Sequence, residues 1–192
     1  MKIKIVKIVM VVKITYFVHG TTTDNENHLA TGWAPGELSE LGIQQAKELG
    51  KLVADKLFDV VFCSDLKRAV DSAKLAFGDK YEIIQDKRLR EANYGDFTRT
   101  PLASFKSRMA EYIEKPFPNG ESYKDVEERV ADFLNFLKNK YADKHVAVIA
   151  HQAPQLALDV LIKKKTWEQA IAEDWRNAGD WQPGWEYILG EQ

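Results

Sequence analysis

Residues 14–25, ITYFVHGTTTDN, join an apolar run to a polar turn at a single histidine. The run is rich in β-branched and aromatic residues, which predicts a buried β-strand over residues 13–18. His19 and Gly20 end this strand, and hydroxyl residues follow them. Ligands of α/β proteins bind beyond the carboxyl ends of parallel strands. His19 therefore stands where a functional side chain is expected, if the rest of the chain builds such a sheet.

The rest of the chain alternates between strand-like and helix-like segments. Strands are predicted over residues 59–63, 81–85 and 145–150, and helices over residues 39–56, 64–77, 101–113, 122–140 and 155–163. Ser39 is expected to cap the first helix, and Ser64 or Asp65 the second. The apolar positions of the first helix are Leu41, Ala46, Leu49, Leu52 and Val53. This alternation predicts an α/β fold, a three-layer α/β/α sandwich around a mostly parallel sheet of about five or six strands.

The composition is that of an ordinary globular domain. The chain has 192 residues, 45% hydrophobic and 29% charged, which fits a single domain over residues 13–192. Its formal net charge of −2 gives no overall attraction to nucleic acid or to an anionic membrane. The lone Cys63 cannot form an intrachain disulfide. A reducing compartment suits such a chain, and a cytoplasmic location is expected.

Residues 1–12 are interpreted as an N-terminal extension of uncertain role. This stretch is apolar, but lysines interrupt it, so no uncharged run reaches the ~20 residues of a membrane span. No small-residue cleavage site follows it, which argues against a signal peptide. Met10 is an alternative start of the protein.

Three segments that carry reactive side chains follow predicted strands. His19 follows the first strand, residues 64–68 with Arg68 follow the second, and His151 follows residues 145–150. Glu91 adds a carboxylate from a loop. Phosphoryl transfer needs such a set: a neutral imidazole attacks phosphorus, cationic groups balance the charge of the oxygens, and an acid protonates the leaving alkoxide.

The chain resembles the histidine phosphatase superfamily, also called phosphoglycerate mutase-like, from about residue 13 onward. The first motif of that family keeps His19, Gly20, Thr22 and Asn25 in HGTTTDN. The further matching segments are ATGWAPGELSELGIQQA, SDLKRAVDSA with Arg68, RLREANYGDF with Glu91, NGES, and VAVIAH ending at His151. Each motif is weak alone, but together, in the family order, they make a specific match.

The resemblance implies a phosphoglycerate mutase-like fold and a phosphomonoester hydrolase that acts on a small phosphorylated metabolite. It implies that His19 becomes phosphorylated and that Glu91 exchanges protons with the leaving group and with water. Arg68 and His151 are expected to hold the phosphoryl group. Further substrate-binding positions are expected at Asn25, Gly20, Thr22 and Gln152. The implied mechanism needs no metal and no cofactor.

Departures from the family pattern leave alternatives open, and one of them is Thr21, which stands where the family has an acidic residue. The arginine that precedes the histidine in that family is absent, and Val18 occupies its place or one residue has been deleted. Arg99 or a lysine could replace it in space. Gln152 stands where the family usually has glycine. The first alternative function is therefore a weakened family member that binds a phosphorylated ligand or a protein. A mutase is the lesser alternative, because the chain lacks a clear counterpart of the mutase insertions.

Other candidate sites are weaker. A zinc site from His19, Asp24, His28 and His151 matches no common ligand spacing, so no metal is expected. The four C-terminal tryptophans fit packing of the C-terminal segment better than an aromatic wall over the substrate. They are Trp167, Trp175, Trp181 and Trp185. The oligomeric state is not indicated, and a homodimer is one open alternative.

Overall fold

The computed structural model describes residues 11–190, and a five-stranded sheet forms its centre. The strands are β1 (Val12–Val18), β2 (Val60–Cys63), β3 (Ile83–Gln85), β4 (His145–Ala150) and β5 (Trp185–Leu189). Their spatial order is β3-β2-β4-β1-β5. The first four strands of that order run parallel, and β5 pairs antiparallel with β1. The predicted α/β fold with a mostly parallel sheet is confirmed.

Seven α-helices connect or flank these strands within residues 11–190. They are α1 (Thr23–Glu26), α2 (Glu40–Leu52), α3 (Lys67–Phe77), α4 (Tyr123–Lys140), α5 (Gln152–Leu161), α6 (Trp167–Ala172) and α7 (Trp175–Ala178). None of the helices in this described part of the chain has the length and apolarity that crossing a membrane requires. Val12 was predicted to lie in the N-terminal extension but is the first residue of β1. The remainder of that predicted extension falls outside the described residues, apart from Val11.

Two apolar cores cover the two faces of the sheet. Alternate residues of a strand point to opposite faces, so Phe17 joins one core while Tyr16 joins the other. The core around Phe17 includes Leu49 of α2 and Phe77 of α3. The core around Tyr16 takes its helical side chains from α4, α5 and α6. This distribution is the three-layer arrangement that the alternation of elements predicted.

The structure corrects several predicted details. Ser39 caps α2 as predicted, accepting a hydrogen bond from the Gly42 N–H at 3.2 Å. Leu41 and Leu52, two of the apolar positions of this helix, are 50% and 54% exposed. The reason is that α2 packs against α3 and the sheet along a narrower stripe than its apolar positions span.

The start of α3 was also misplaced. The helix begins at Lys67, and its N-cap is Leu66 without a side-chain hydrogen bond. Ser64 accepts the Leu66 N–H at 3.2 Å within the preceding turn. Asp65 receives two hydrogen bonds from the Arg90 guanidinium, at 2.7 and 2.6 Å. Both residues predicted as caps therefore hold the loop before the helix.

Three further elements differ from the prediction. Helix α5 begins at Gln152 with His151 as its N-cap, because Pro154 is tolerated in a first turn, where the missing N–H needs no partner. The helix predicted over residues 101–113 consists of the 3₁₀ segments Leu102–Ser104 and Lys106–Tyr112. Strand β5 was not predicted, although Trp185, Tyr187 and Leu189 alternate with exposed residues as an edge strand does.

Candidate active site

The two predicted catalytic histidines meet because they follow neighbouring strands in register. Val18 of β1 pairs with Ala150 of β4 in the parallel ladder, and His19 and His151 are the next residues. Their ring centroids are 5.0 Å apart. Both rings line a cavity of about 290 Å³. Predicted site residues that also line it are Asn25, Arg68, Glu91 and Gln152.

The hydrogen bond of His19 fixes which of its ring nitrogens can attack. Nδ1 lies 2.7 Å from the carbonyl oxygen of Gly20. A carbonyl oxygen only accepts, so Nδ1 carries the proton and Nε2 has a free lone pair. Burial and then the Arg68 charge lower the pKa of His19 to about 3. The ring is therefore neutral at physiological pH, which is the form that can act as a nucleophile.

Close backbone packing positions the His19 turn. A Cβ on Gly20 would lie 2.3 Å from the Gly42 carbonyl oxygen, and one on Gly42 would lie 1.9 Å from the Thr21 carbonyl oxygen. Both positions therefore require glycine. Ser72 of α3 accepts the Gly20 N–H at 3.0 Å and donates to the Arg68 carbonyl at 2.7 Å. The turn after β1 is thus held by both α2 and α3.

His151 is held through its backbone and leaves its ring free. The Tyr16 hydroxyl donates to the His151 carbonyl at 2.7 Å and accepts its N–H at 2.9 Å. The ring is 1% exposed, yet neither Nδ1 nor Nε2 has a hydrogen-bond partner within residues 11–190. Burial, and then the charge of Arg68, hold the pKa of His151 well below its usual range. A buried polar ring without partners indicates a site built for a ligand.

Arg68 brings a buried positive charge to the cavity from the first turn of α3. The residue is 2% exposed. Its Nη2 donates to the Gly32 carbonyl at 2.8 Å and its Nη1 to the Ala34 carbonyl at 3.3 Å. These contacts orient the guanidinium, and no carboxylate of residues 11–190 pairs with it, so its charge is available to an anion.

Glu91 is fixed by the first turn of α5. Its carboxylate accepts the N–H groups of Ala92 and Ala153 at 2.9 Å each, and that of Gln152 at 3.1 Å. The N–H groups at a helix N-terminus have no partner within the helix, so an acidic side chain is favourable there. Helix α5 thereby positions Glu91 as well as its own N-cap His151.

Arg129 on α4 is a supporting residue that the sequence analysis missed. Its guanidinium donates to the carbonyls of Arg88 and Arg90 at 2.7 Å each and to that of Glu91 at 3.0 Å. It also forms an ion pair with Glu121 at 3.0 Å. It therefore fixes the loop that carries Glu91. The only available signal was an arginine on a long amphipathic helix, which is usually solvent-exposed.

The remaining predicted binding residues divide into two groups. Asn25 and Gln152 line the cavity, and Asn25 accepts the Thr22 N–H through Oδ1, which leaves its Nδ2 donor for a ligand. Gly20 lies outside this cavity and shapes the turn instead. Thr22 is fully buried, and its hydroxyl caps α1 by accepting the Asn25 N–H at 3.0 Å. Thr22 lines neither this cavity nor the larger one beside it.

A second, mostly apolar cavity of about 470 Å³ adjoins the first. Val18, His19, Thr21 and Trp175 line both cavities. Its other lining residues come from the turn, α2, α3 and the C-terminal segment, and are Gly20, Gln45, Ala46, Glu48, Leu49, Leu52, Ser72 and Trp181. A substrate at His19 can therefore extend from a polar into an apolar compartment.

The C-terminal tryptophans divide between the two predicted roles. Trp167 and Trp185 are 3% and 8% exposed. They belong to the hydrophobic core, so they fit the favoured interpretation that these tryptophans pack the C-terminal segment onto the domain. Trp175 and Trp181 line the cavities, which fits the alternative interpretation of an aromatic wall over the substrate. The same segment brings Arg176 to the polar cavity, whereas Arg99 lines neither cavity and donates to the Pro35 carbonyl at 3.2 Å.

Comparison with known proteins gives the family. A 2,3-bisphosphoglycerate-dependent phosphoglycerate mutase from Rhizobium meliloti (strain 1021) is 31% identical over 169 residues, covering 80% of each chain. The alpha-ribazole phosphatase of Shigella flexneri superposes with a TM-score of 0.71 at 27% identity, covering 82% of this chain and 83% of that one. A mycobacterial glucosyl-3-phosphoglycerate phosphatase in complex with VO3 gives a TM-score of 0.71 at 27% identity, with coverages of 85% and 86%.

The match to a family profile extends over most of the chain. Residues 16–181 match the profile of the histidine phosphatase superfamily (branch 1). That range contains His19, Arg68, Glu91, His151 and Arg176. The chain belongs to the histidine phosphatase superfamily.

Proposed function

We propose that this protein is a phosphomonoester hydrolase that works through a phosphohistidine on His19. The observation that carries the proposal is one cavity that joins a neutral His19, whose Nε2 has a free lone pair, to the partnerless ring of His151. Arg68 supplies positive charge and Glu91 a carboxyl group at the same cavity. Nucleophile, cation and proton donor are the groups that phosphoryl transfer requires.

The reaction takes two displacements. In the first, Nε2 of His19 forms a bond to phosphorus as the phosphorus–oxygen bond to the alcohol breaks. Protonated Glu91 gives its proton to the departing alkoxide, and an alcohol leaves. In the second, water attacks the phosphohistidine and loses a proton to the Glu91 carboxylate. Inorganic phosphate leaves, and His19 and protonated Glu91 are restored. Arg68 and His151 stabilise the phosphoryl oxygens in both steps.

Charge favours hydrolysis of a monophosphate over a mutase reaction. Among residues 11–190, the arginine and lysine side chains that line the two cavities are Arg68 and Arg176 alone. The carboxylates at the same surfaces are Glu91 and Glu48. A bisphosphoglycerate carries two phosphates and a carboxylate, and two arginines cannot balance that charge. A single phosphate is balanced by them.

The apolar cavity indicates the chemistry of the alcohol. Its lining is mainly apolar, with Leu49, Leu52 and Trp181 among its side chains and Glu48 as its charged residue. An anionic leaving group would be repelled by Glu48, whereas a hydrocarbon or aromatic group would gain by leaving water. The proposed substrate is therefore a small phosphomonoester whose alcohol part is uncharged and largely apolar.

The test is hydrolysis of 4-nitrophenyl phosphate with chelator present. We expect turnover by the unaltered protein, and a loss of about 10⁴-fold or more in His19→Ala, since removal of a nucleophile has effects of that order. His28→Asn is the matched control, because His28 is exposed, lines neither cavity and has a φ of 55° that asparagine tolerates. A denaturing quench at alkaline pH should trap a phosphoryl group on the unaltered protein and on the control only, and acid treatment should release it.

The second candidate is a phospho-ligand binding module. It is favoured by Val18, an apolar residue that lines the polar cavity where the family pattern has arginine. This candidate predicts no turnover and no trapped phosphoryl group, together with a rise in melting temperature in inorganic phosphate. Turnover that depends on His19 would exclude it.

A further inference from the structure

Arg176 lies outside the short motifs on which the family resemblance rests. It nevertheless lines the same cavity as His19, Arg68 and His151. It belongs to α7, a four-residue helix of the C-terminal segment. Its side chain is 22% exposed. Its charge contributes to the lowered pKa of both His19 and His151, after burial and Arg68. The guanidinium and both rings share this one cavity.

The side chain of Arg176 is oriented on three sides. Its Nη1 donates to Oδ1 of Asp174 at 2.9 Å, and its Nη2 donates to Oε1 of Gln155 at 3.1 Å. Its guanidinium carbon lies 4.4 Å from the ring centroid of Trp175. A guanidinium has five N–H donors, and these contacts use two of them. Donors remain for an anion in the cavity.

Asp174 connects Arg176 to the residue that follows His151. The aspartate is 6% exposed, and its Oδ2 accepts a hydrogen bond from Nε2 of Gln152. Gln152 and Gln155 lie in the first turns of α5, whose N-cap is His151. The network of Gln152, Asp174 and Arg176 therefore fixes a cation relative to His151. Glycine at position 152 could not make this contact.

The charge of the transferring group requires such a cation. A phosphoryl dianion carries two negative charges, whereas Arg68 supplies one positive charge to the cavity. His19 and His151 are neutral, since their pKa values are lowered. Within residues 11–190, Arg176 is the remaining cationic side chain on this cavity.

We propose that Arg176 is a phosphate-binding residue of this site and that Gln152 and Asp174 position it. The inference rests on the proposed function for its catalytic consequence, but phosphate binding tests it independently. It also gives a structural explanation for two of the departures from the family pattern, at positions 18 and 152. Val18 leaves the cavity wall uncharged on the side of β1, and Gln152 anchors a cation from the C-terminal segment.

The experiment compares Arg176→Ala with Arg108→Ala. Arg108 is a matched control, because it pairs with Glu111 at 3.4 Å on the surface and lines neither cavity. We expect kcat/KM for 4-nitrophenyl phosphate to fall about 10²-fold in Arg176→Ala, as for the loss of one preorganised donor to the transition state. Inhibition by orthovanadate, which imitates the transferring phosphoryl group, should weaken in parallel. Arg108→Ala should match the unaltered protein in both.

Two rescue experiments test whether activity needs the positive charge of Arg176 or only the packing of its side chain. Guanidinium ion at tens of millimolar should restore part of the activity of Arg176→Ala and none of that of His19→Ala. Val18→Arg combined with Arg176→Ala should regain at least about 10-fold, because position 18 also lines the cavity. Asp174→Asn, which removes the carboxylate while keeping its shape, should lower the vanadate affinity less than Arg176→Ala does.

The outcomes distinguish this inference from the proposed function. If turnover depends on His19 while Arg176→Ala stays within threefold in both turnover and vanadate affinity, Arg176 has no such role and the hydrolase stands. If the unaltered protein shows no turnover, the proposed hydrolase function is wrong. The change in melting temperature caused by inorganic phosphate then tests whether Arg176 binds phosphate. A phosphate-induced rise that Arg176→Ala abolishes supports the inference, and an equal rise in both proteins overturns it.

Discussion

The two sides of the adjoining polar and apolar cavities are built in different ways. We call His19, Arg68, Glu91 and His151 the strand-end wall, and Trp175, Arg176 and Trp181 the C-terminal wall. Backbone groups orient most of the first wall: Arg68 donates to two carbonyls, Glu91 accepts three N–H groups, and the His19 ring donates to the Gly20 carbonyl. Side-chain contacts hold Arg176 in the second, through Asp174 and Gln155.

This difference suggests a division of labour. Backbone contacts follow from the fold and hold reactive groups to within fractions of an ångström, as chemistry requires. Side-chain contacts change with single substitutions, so the C-terminal wall can adapt to the substrate while the fold stays the same. We therefore expect substitutions in the strand-end wall to reduce turnover of every substrate, and those at Trp181 to change which substrate is preferred.

Among substitutions that leave His19 in place, Arg68→Lys should have the largest effect on turnover. Lysine keeps the charge but cannot donate to the Gly32 and Ala34 carbonyls while also contacting phosphate in a planar fork. We expect a fall of about 10³-fold in kcat/KM, somewhat more than for Arg176→Ala. The measurement is steady-state hydrolysis of 4-nitrophenyl phosphate.

Arg90→Lys is the control for an arginine that anchors a loop without lining the cavities. Arg90 forms a two-point ion pair with Asp65, at 2.7 and 2.6 Å. Its replacement should lower the melting temperature and leave kcat/KM within about threefold. Equal losses in Arg68→Lys and Arg90→Lys would mean that loop order, and not the charge at the cavity, limits turnover.

The neutral histidines of the strand-end wall predict how stability depends on pH. The pKa of His19 is lowered to about 3 and that of His151 lies well below its usual range, whereas both titrate near 6.5 when unfolded. Between these pH values the unfolded chain binds more protons than the folded protein. The contribution of the two rings to the free energy of unfolding is therefore fully present above about pH 6.5 and decreases as the pH falls. Each histidine contributes a slope of up to about 1.4 kcal/mol per pH unit.

Urea unfolding between pH 5 and pH 7.5 measures that slope. His145, whose pKa is also lowered, adds to it. His151→Gln should remove the part of the slope that belongs to His151, as should His19→Gln for its own part. Because each variant is compared with the unaltered protein, the contribution of the carboxyl groups that both share cancels from the difference. A slope that neither substitution changes would show that these rings become protonated in the folded protein.

Tyr16→Phe tests the hydroxyl that holds His151. The phenol is fully buried and bonds both the carbonyl and the N–H of His151. Its removal takes away one hydrogen bond from the buried N–H of His151 and one from its carbonyl, which should cost about 1–3 kcal/mol of unfolding free energy. The loss of kcat/KM should be about tenfold, because the ring shifts while all reacting groups remain.

Tyr187→Phe is the matched control for that substitution. Tyr187 is also buried and donates to Asp159 at 2.8 Å, but it lines neither cavity. Asp159 keeps its ion pairs with Lys163 and Lys165 at 2.9 and 3.0 Å. We expect a stability loss of about 1 kcal/mol and unchanged turnover. A comparable loss of turnover in both variants would remove the positioning role of Tyr16.

The sequence predicted the strand-end wall because its residues lie in local patterns. His19 and His151 end apolar runs, and Arg68 opens a helix after a strand, so the parallel sheet alone brings them to one edge. Family resemblance added Glu91, which a loop carries. The α/β alternation likewise predicted the sheet, since strands and helices differ in hydrophobic period.

The C-terminal wall could not be predicted in the same way. Helix α7 has four residues and therefore no periodicity, and Arg176 is fixed by Gln155, which lies 21 residues earlier in the chain. From the sequence, Tyr16 is one apolar residue of a buried strand, since nothing in the sequence shows where its hydroxyl points. Arg129 lies on an amphipathic helix, where an arginine is expected to be exposed to solvent. Long-range side-chain contacts give these residues their roles, and such contacts leave no local pattern.

The smallest effect is expected for Trp181→Ala, and it tests the selectivity of the C-terminal wall. Trp181 is 50% exposed and lines the apolar cavity but not the polar one. Along a series of n-alkyl phosphates, kcat/KM of the unaltered protein should rise with chain length, by at most the ~0.8 kcal/mol of each buried methylene. Trp181→Ala should flatten this rise and cost threefold to tenfold for the longest member, while the shortest member changes little. Leu57→Ala, at a residue 72% exposed and outside both cavities, should leave the series unchanged. If Trp181→Ala lowers all members equally, the tryptophan serves the phosphate site, and the division between the two walls does not hold.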